Sequence, residues 1–180
     1  MKNLLLKISL VLVLLMFAAS LASCGNNSDD PYAPPTGMIS ATDEKADFVL
    51  FVPDEWQIDY STAAAGAYYS ASDPSSVSVM AWDLEHTDTT IDEWWETNVD
   101  EINVVFDNFV LESEENITMS ELYGKKYTYT ADLGDFNYKI TQAACLRNST
   151  VYLFTYTSVP ENYDLHAEEV NDMLRYFVIK

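Results

Sequence analysis

The chain has 180 residues, with 29 acidic against nine basic side chains and a formal net charge of −20. So acidic a surface lacks the clustered Lys and Arg that hold phosphates, which excludes nucleic acid as a partner. Its 8 Phe, 12 Tyr and 4 Trp can fill one core of ordinary domain size, and no internal repeat divides it.

At the N-terminus, residues 1 to 7 carry Lys2 and Lys7 and no acid, and residues 8 to 19 are apolar apart from Ser9. Small residues follow, which is the anatomy of a secretory signal over residues 1 to 23. The apolar stretch meets polar chain too early for a permanent span, which needs roughly 20 apolar residues. Its end, Leu21-Ala22-Ser23-Cys24, resembles a bacterial lipobox. The resemblance implies a diacylglyceryl group on the Cys24 sulfur, acyl chains such as palmitate, and cleavage before Cys24. A thiolate is the strong nucleophile such alkylation needs, and two acyl chains hold a membrane where one is marginal. The resemblance therefore places the chain on the extracytoplasmic face of the cell membrane.

The signal removes two basic residues, leaving seven against 29 acids. "GNNSDDPYAPPTG", residues 25 to 37, is too polar to bury a core and reads as a tether over residues 24 to 42. The globular domain is expected over residues 43 to 180. With Cys24 acylated, Cys145 has no intrachain partner, so no disulfide is expected.

Within the domain, "ADFVLFVPDEWQIDY" reads as a strand, a Pro-Asp turn and a second strand. A short third strand is expected over residues 68 to 72. "SVSVMAWDLE" alternates, with Val77, Val79 and Ala81 on one face and Met80 and Trp82 on the other, so the sheet expects cover on both faces. Thr90-Ile91-Asp92-Glu93 is a capping box, and Ile91, Trp94, Trp95, Ile102, Val105, Phe106 and Phe109 recur at helical spacing behind it. An aromatic stripe of this kind is read as core rather than as a ligand platform.

The second half reads as an antiparallel meander over residues 122 to 132, 136 to 146 and 150 to 157, with turns at Gly134-Asp135 and Arg147-Asn148-Ser149. Alternation puts Phe136, Tyr138 and Ile140 on one face, and Lys139, Thr141 and Cys145 on the other. Ser158-Val159-Pro160-Glu161 reads as another capped helix start. Tyr163, Val170, Met173, Leu174 and Phe177 form its apolar stripe, and the chain closes on helix or short strand near residues 177 to 179.

"FVLFVPDEW", "ELYGKKYTYTAD" and "STVYLFTYTSVPENYD" resemble the opening strand with its Pro turn and Trp, the later strands, and the closing helix of the PsbP-like family. That family holds the extrinsic photosystem II protein and many bacterial lipoproteins. The resemblance covers about residues 45 to 180 and implies an α+β fold, an antiparallel β-sheet flanked by helices in an α/β/α sandwich. It also implies a noncatalytic assembly, stabilising or binding role. Glu55 stands where the family often has Gly after the turn, and no functional residue set carries over.

No G-x-S-x-G, H-E-x-x-H or phosphate-cradling Gly loop occurs, and only His86 and His166 could serve as a base. Acids around His86 (Asp83, Glu85, Asp88, Asp92, Glu93) match no ordered calcium loop and read as a solvated loop. His166 reads as a partly covered residue beside the last helix stripe. The expectation is a lipid-anchored, noncatalytic binding or assembly factor with no cofactor, metal or catalytic residue. Its partners would be the membrane, through Cys24, and an envelope protein or small ligand. Such a factor should expose an apolar patch or a cleft free of matched acid and base groups. An envelope hydrolase or metal-dependent enzyme is the alternative, and it requires His86 or His166 to converge with carboxylates in one pocket. A cation-binding surface protein is a third reading.

Overall fold

The computed structural model describes residues 30–61, 63–86 and 88–180, and the fold is that of the unit Tyr32–Lys180. The expected signal over residues 1 to 23 and Cys24 lie outside the described residues. No helix among the described residues is long and apolar enough to cross a membrane.

Strands β1 (Met38–Ser40), β2 (Phe48–Val49), β3 (Phe51–Pro53), β4 (Gln57–Ile58), β5 (Ala65–Tyr68) and β6 (Ser76–Asp83) precede helix α1 (Ile91–Val105). Strands β7 (Asp107–Met119), β8 (Leu122–Leu133), β9 (Phe136–Arg147) and β10 (Thr150–Ser158) follow. Helix α2 (Pro160–Tyr163), a 3-10 turn, helix α3 (Ala167–Tyr176) and β11 (Val178–Ile179) complete the chain. A seven-stranded antiparallel sheet runs in the order β4-β5-β6-β10-β9-β8-β7. Two small ladders, β1 with β3 and β11 with β2, lie outside it.

Alternation sorts the sheet's side chains into two cores. On one face α1 lays Ile91, Trp94, Trp95 and Ile102 over Tyr127, Tyr129, Ile140, Val151 and Leu153. Trp95 stacks on Tyr127 with ring centroids 3.5 Å apart and planes 3° from parallel, a contact worth about 1 kcal/mol beyond its buried area. The double tryptophan is therefore core, as its spacing implied. On the other face Phe48, Leu50, Val52 and Trp56 join Val170, Met173, Leu174 and Phe177 over Val77, Val79, Cys145, Tyr152 and Phe154. The expected parity of β6 and β9 holds, with Ile140 under α1 and Cys145 on the opposite face. Burial pushes the Cys145 thiol up to about 12, so it is inert packing.

Several boundaries differ from expectation. Met38–Ser40 pairs with Phe51–Pro53, Ala41 is fully buried and Thr42 bridges Ala65, so folded structure begins inside the segment read as tether. The third strand is Ala65–Tyr68 rather than residues 68 to 72: its small residues let backbones approach, and a Cβ on Gly66 would sit 2.7 Å from the Asp59 carbonyl oxygen. Helix α1 stops at Val105, where Phe106 turns extended, and Phe109 belongs to β7. Thr90 and Glu93 do form the capping box. Ser158 does not cap α2. Val159 holds that position, and Ser158 hydrogen-bonds Ser75 instead. In the Pro53 turn neither Asp54 nor Glu55 takes a positive φ, so glycine is not required there.

Candidate functional site

The expected site residues fall in different places. Cys24 lies outside the described residues. His86 is exposed on the loop before α1, and no group of three or more His, Cys, Asp or Glu that could hold a metal converges among the described residues.

His166 departs from expectation. It is only 4 % exposed and joins three separate segments. Its Nδ1 lies 2.8 Å from Glu169 Oε2 on α3, and its Nε2 lies 3.0 Å from Asp73 Oδ2 in the β5–β6 loop. Trp56 Nε1 donates to the same Glu169 oxygen at 3.1 Å, and the rings of Trp56 and Tyr69 flank the imidazole. Burial opposes a charge on His166, yet the hydrogen bonds and charges of Asp73 and Glu169 outweigh it and raise the pKa. Burial likewise opposes the Asp73 carboxylate, but bonds from Ser75, His166 and Asn162 prevail and hold it at about 2. Glu55 is raised, first by its hydrogen bond with Glu169 and then by burial and neighbouring carboxylates.

Two carboxylates on opposite ring nitrogens require both nitrogens to donate, which makes His166 an imidazolium with no lone pair to act as base. The same opposition prevents Asp73 and Glu169 from closing on one metal beside it. His166 does not line the clefts formed by the sheet and its covering helices. The cluster is a clamp that ties the Trp56 turn and the Asp73 loop to the start of α3.

An exposed apolar surface lies at the C-terminal end of α1. Because α1 stops at Val105 while the β8–β9 hairpin runs on to Leu133 and Phe136, the tip of the hairpin is left without a helix over it. A cleft of about 340 Å³ opens there, lined by Phe106, Leu133, Tyr138, Ile140, Pro74 and Val159, with no charged residue in its lining. Phe136 is 64 % exposed and rests against Tyr138 with ring centroids 6.5 Å apart, and Leu133 is 46 % exposed. Val104 and Val105 add exposed apolar surface just before Phe106. An apolar cleft of this kind can hold an apolar side chain by desolvation alone. Gly134 opens the turn with φ +61° and Asp135 follows it, so a two-residue turn with Gly first presents the tip.

A second, polar cleft of about 330 Å³ lies on the opposite face, beside Thr128, Thr141, Tyr163 and Asn171. Its lysines are occupied: Lys126 pairs with Glu115 at 3.2 Å, and Lys139 pairs with Glu112 at 3.0 Å and lies over the Tyr163 ring. Thr141 is hydrogen-bonded to both Thr128 and Tyr163.

This architecture is an α+β sandwich of PsbP-like form. Among solved structures, LpqN of Mycobacterium tuberculosis, described as involved in cell envelope biogenesis, matches with a TM-score of 0.62 at 13 % identity, over 79 % of this chain and 90 % of that one. The cyanobacterial PsbP, CyanoP, of Synechocystis sp. PCC 6803 matches with a TM-score of 0.58 at 12 % identity, over 89 % of this chain and 99 % of that one. No protein-family model and no curated protein matches the sequence. Identities this low establish the shared fold alone.

Proposed function

We propose that the chain is an extracytoplasmic binding or assembly factor, moored by acyl chains on Cys24, which captures a partner on the apolar cleft at the β8–β9 tip and performs no reaction. The observation that carries this reading is the pair of exposed residues Leu133 and Phe136, with Leu133 and half-buried Tyr138 lining an uncharged cleft and Phe136 resting against Tyr138. Solvent-facing aromatic surface costs free energy unless something covers it. The likeness to LpqN, described as involved in cell envelope biogenesis, agrees with a role at the envelope. The hydrolase reading draws less support, since the one histidine that meets carboxylates has both ring nitrogens engaged.

A photo-reactive residue placed at Phe136 in living cells should capture one dominant protein, whereas the same residue at exposed Glu168 on α3 should not. Equal yields from the two positions would remove the binding surface from the account. Separately, Cys24→Ala should abolish fatty-acid labelling and release the protein from membranes, and unchanged labelling would refute the anchor.

A further inference from the structure

The His166 clamp and the apolar cleft meet in the β5–β6 loop. Asp73 Oδ2 faces Nε2 of the buried imidazole at 3.0 Å, and Oδ1 accepts from the Ser75 amide at 3.0 Å and the Ser75 hydroxyl at 2.6 Å. Ser75 Oγ in turn lies 2.7 Å from Ser158 Oγ, where β10 ends. Pro74 and Ser76, on either side of Ser75, line the apolar cleft, as do Ser158 and Val159. A chain of hydrogen bonds therefore runs from a titratable ring to the lining of the candidate binding surface, although the ring itself does not reach it.

The groups around His166 make its charge decisive. Asp73 approaches from the β5–β6 loop and Glu169 from α3, and the rings of Trp56 and Tyr69 lie against the imidazole. Glu55, in the Pro53 turn, hydrogen-bonds Glu169, and Asn162 of α2 hydrogen-bonds Asp73. No lysine or arginine among the described residues pairs with these carboxylates, so the imidazolium is the cation they share. Burial opposes that charge, but Asp73 and Glu169 outweigh it, so the ring stays protonated above the ordinary 6.5 and loses its proton as pH rises through the raised value. A neutral imidazole keeps one N–H and turns a lone pair toward the other carboxylate. With the residue only 4 % exposed, little water can relieve that opposition. Glu169 belongs to a helix packed through Val170, Met173 and Leu174, whereas Asp73 sits in a loop among exposed Ala71, Ser72 and Pro74, so the loop is the part that yields. We propose that His166 is a proton-operated latch on the apolar cleft: protonated, it pins Asp73 and so holds Pro74, Ser75 and Ser158 in the arrangement that shapes the cleft, and on losing its proton it releases them. The proposal rests on the reading of that cleft as the binding surface and adds its regulation, with the protonated form the one that binds.

The test is a proton–carbon NMR titration of the purified full chain from about pH 5 to about pH 9.5, in a His86→Gln background that leaves one imidazole signal. The His166 ring should titrate above 6.5, and the methyls of Leu133, Ile140 and Val159 in the cleft lining should shift with the same midpoint. Asp73→Asn should uncouple the two. An asparagine amide can donate to the ring or accept from it, so His166 should titrate lower, without its anionic partner, while the cleft methyls stay flat. Ser158→Ala keeps the clamp and cuts its link to β10, so it should shrink the methyl response and leave the His166 midpoint in place. That variant decides the matter even if Asp73→Asn fails to fold. Flat cleft methyls while His166 titrates, a ring that keeps its proton throughout the range, or a methyl response unchanged in either variant would each overturn the proposal. So would loss of methyl dispersion across the whole chain at the midpoint, which marks global unfolding rather than a latch. If photo-capture at Phe136 in cells fails at every pH, the binding reading falls instead, and the titration still decides the latch.

Discussion

Replacing Asp73 by asparagine should remove a definite part of the acid limb of this protein's stability curve. Asp73 Oδ1 accepts from the Ser75 amide at 3.0 Å and the Ser75 hydroxyl at 2.6 Å, while Oδ2 faces His166. Every one of those partners is a donor, so an asparagine must turn its own NH2 toward one of them. The carboxyl is held at about 2 against an ordinary 3.8, and each pH unit of that gap is worth about 1.4 kcal/mol. With its side chain 13 % exposed, the charged Asp73 contributes about 2 kcal/mol. A lowered carboxyl stabilises fully above pH 3.8 and loses its contribution as pH falls toward about 2. His166 works in the opposite sense. Its raised pKa gives stability that is complete below 6.5 and is lost as pH rises through the folded value. Urea unfolding of the wild type and Asp73→Asn, measured from pH 2 to 8, should show a gap of about 2 kcal/mol near pH 5 that closes by pH 2. Subtracting the two curves cancels the other acids. If they run parallel from pH 2 to 5, Asp73 titrates normally and the clamp is not held by charge.

Tyr127 lies fully buried under Trp95, and its hydroxyl has no hydrogen-bond partner among the described residues; burial first, then nearby Glu114, raises it to about 12. Tyr127→Phe keeps the stack and removes that polar atom, so it should leave stability unchanged or raise it by about 1 kcal/mol in thermal melts. A loss of more than about 1 kcal/mol would show that the hydroxyl is satisfied. Ser120 and Glu121, which join β7 to β8, take φ of 50° and 65°, a turn that normally calls for Asn-Gly. Glu121→Gly should therefore stabilise by about 0.5 to 1 kcal/mol, and a destabilised variant would mean that the Glu121 side chain offsets its strain.

These residues also explain which elements could be read in advance. Strands β8 to β10 announce themselves through alternation and through Gly134 and Asn148, both at positive φ where such residues are at ease. Strand β7 hides because Glu112, Glu114 and Glu115 fall on both of its faces and because Ser120-Glu121 carries no turn chemistry. Alternation places Phe136 and Ile140 on the same face but says nothing of where the covering helix stops. Ile140 is buried and Phe136 is bare because α1 ends at Val105, so the candidate site became visible only in three dimensions. The His166 clamp was hidden for another reason: its partner Asp73 is 93 positions away.

The pairing of β2 with β11 has a consequence for the order of events. Lys180 Nζ reaches the Ala46 carbonyl across 134 positions, and Val178–Ile179 supplies the strand beside Phe48 and Val49. Whenever this polypeptide is delivered with its N-terminal side leading, by synthesis or by threading through a narrow pore, Phe48 and Val49 emerge long before the strand that completes their ladder. Such distant closure delays cooperative folding, so the β2–β11 ladder closes only after Val178 and Ile179 have followed.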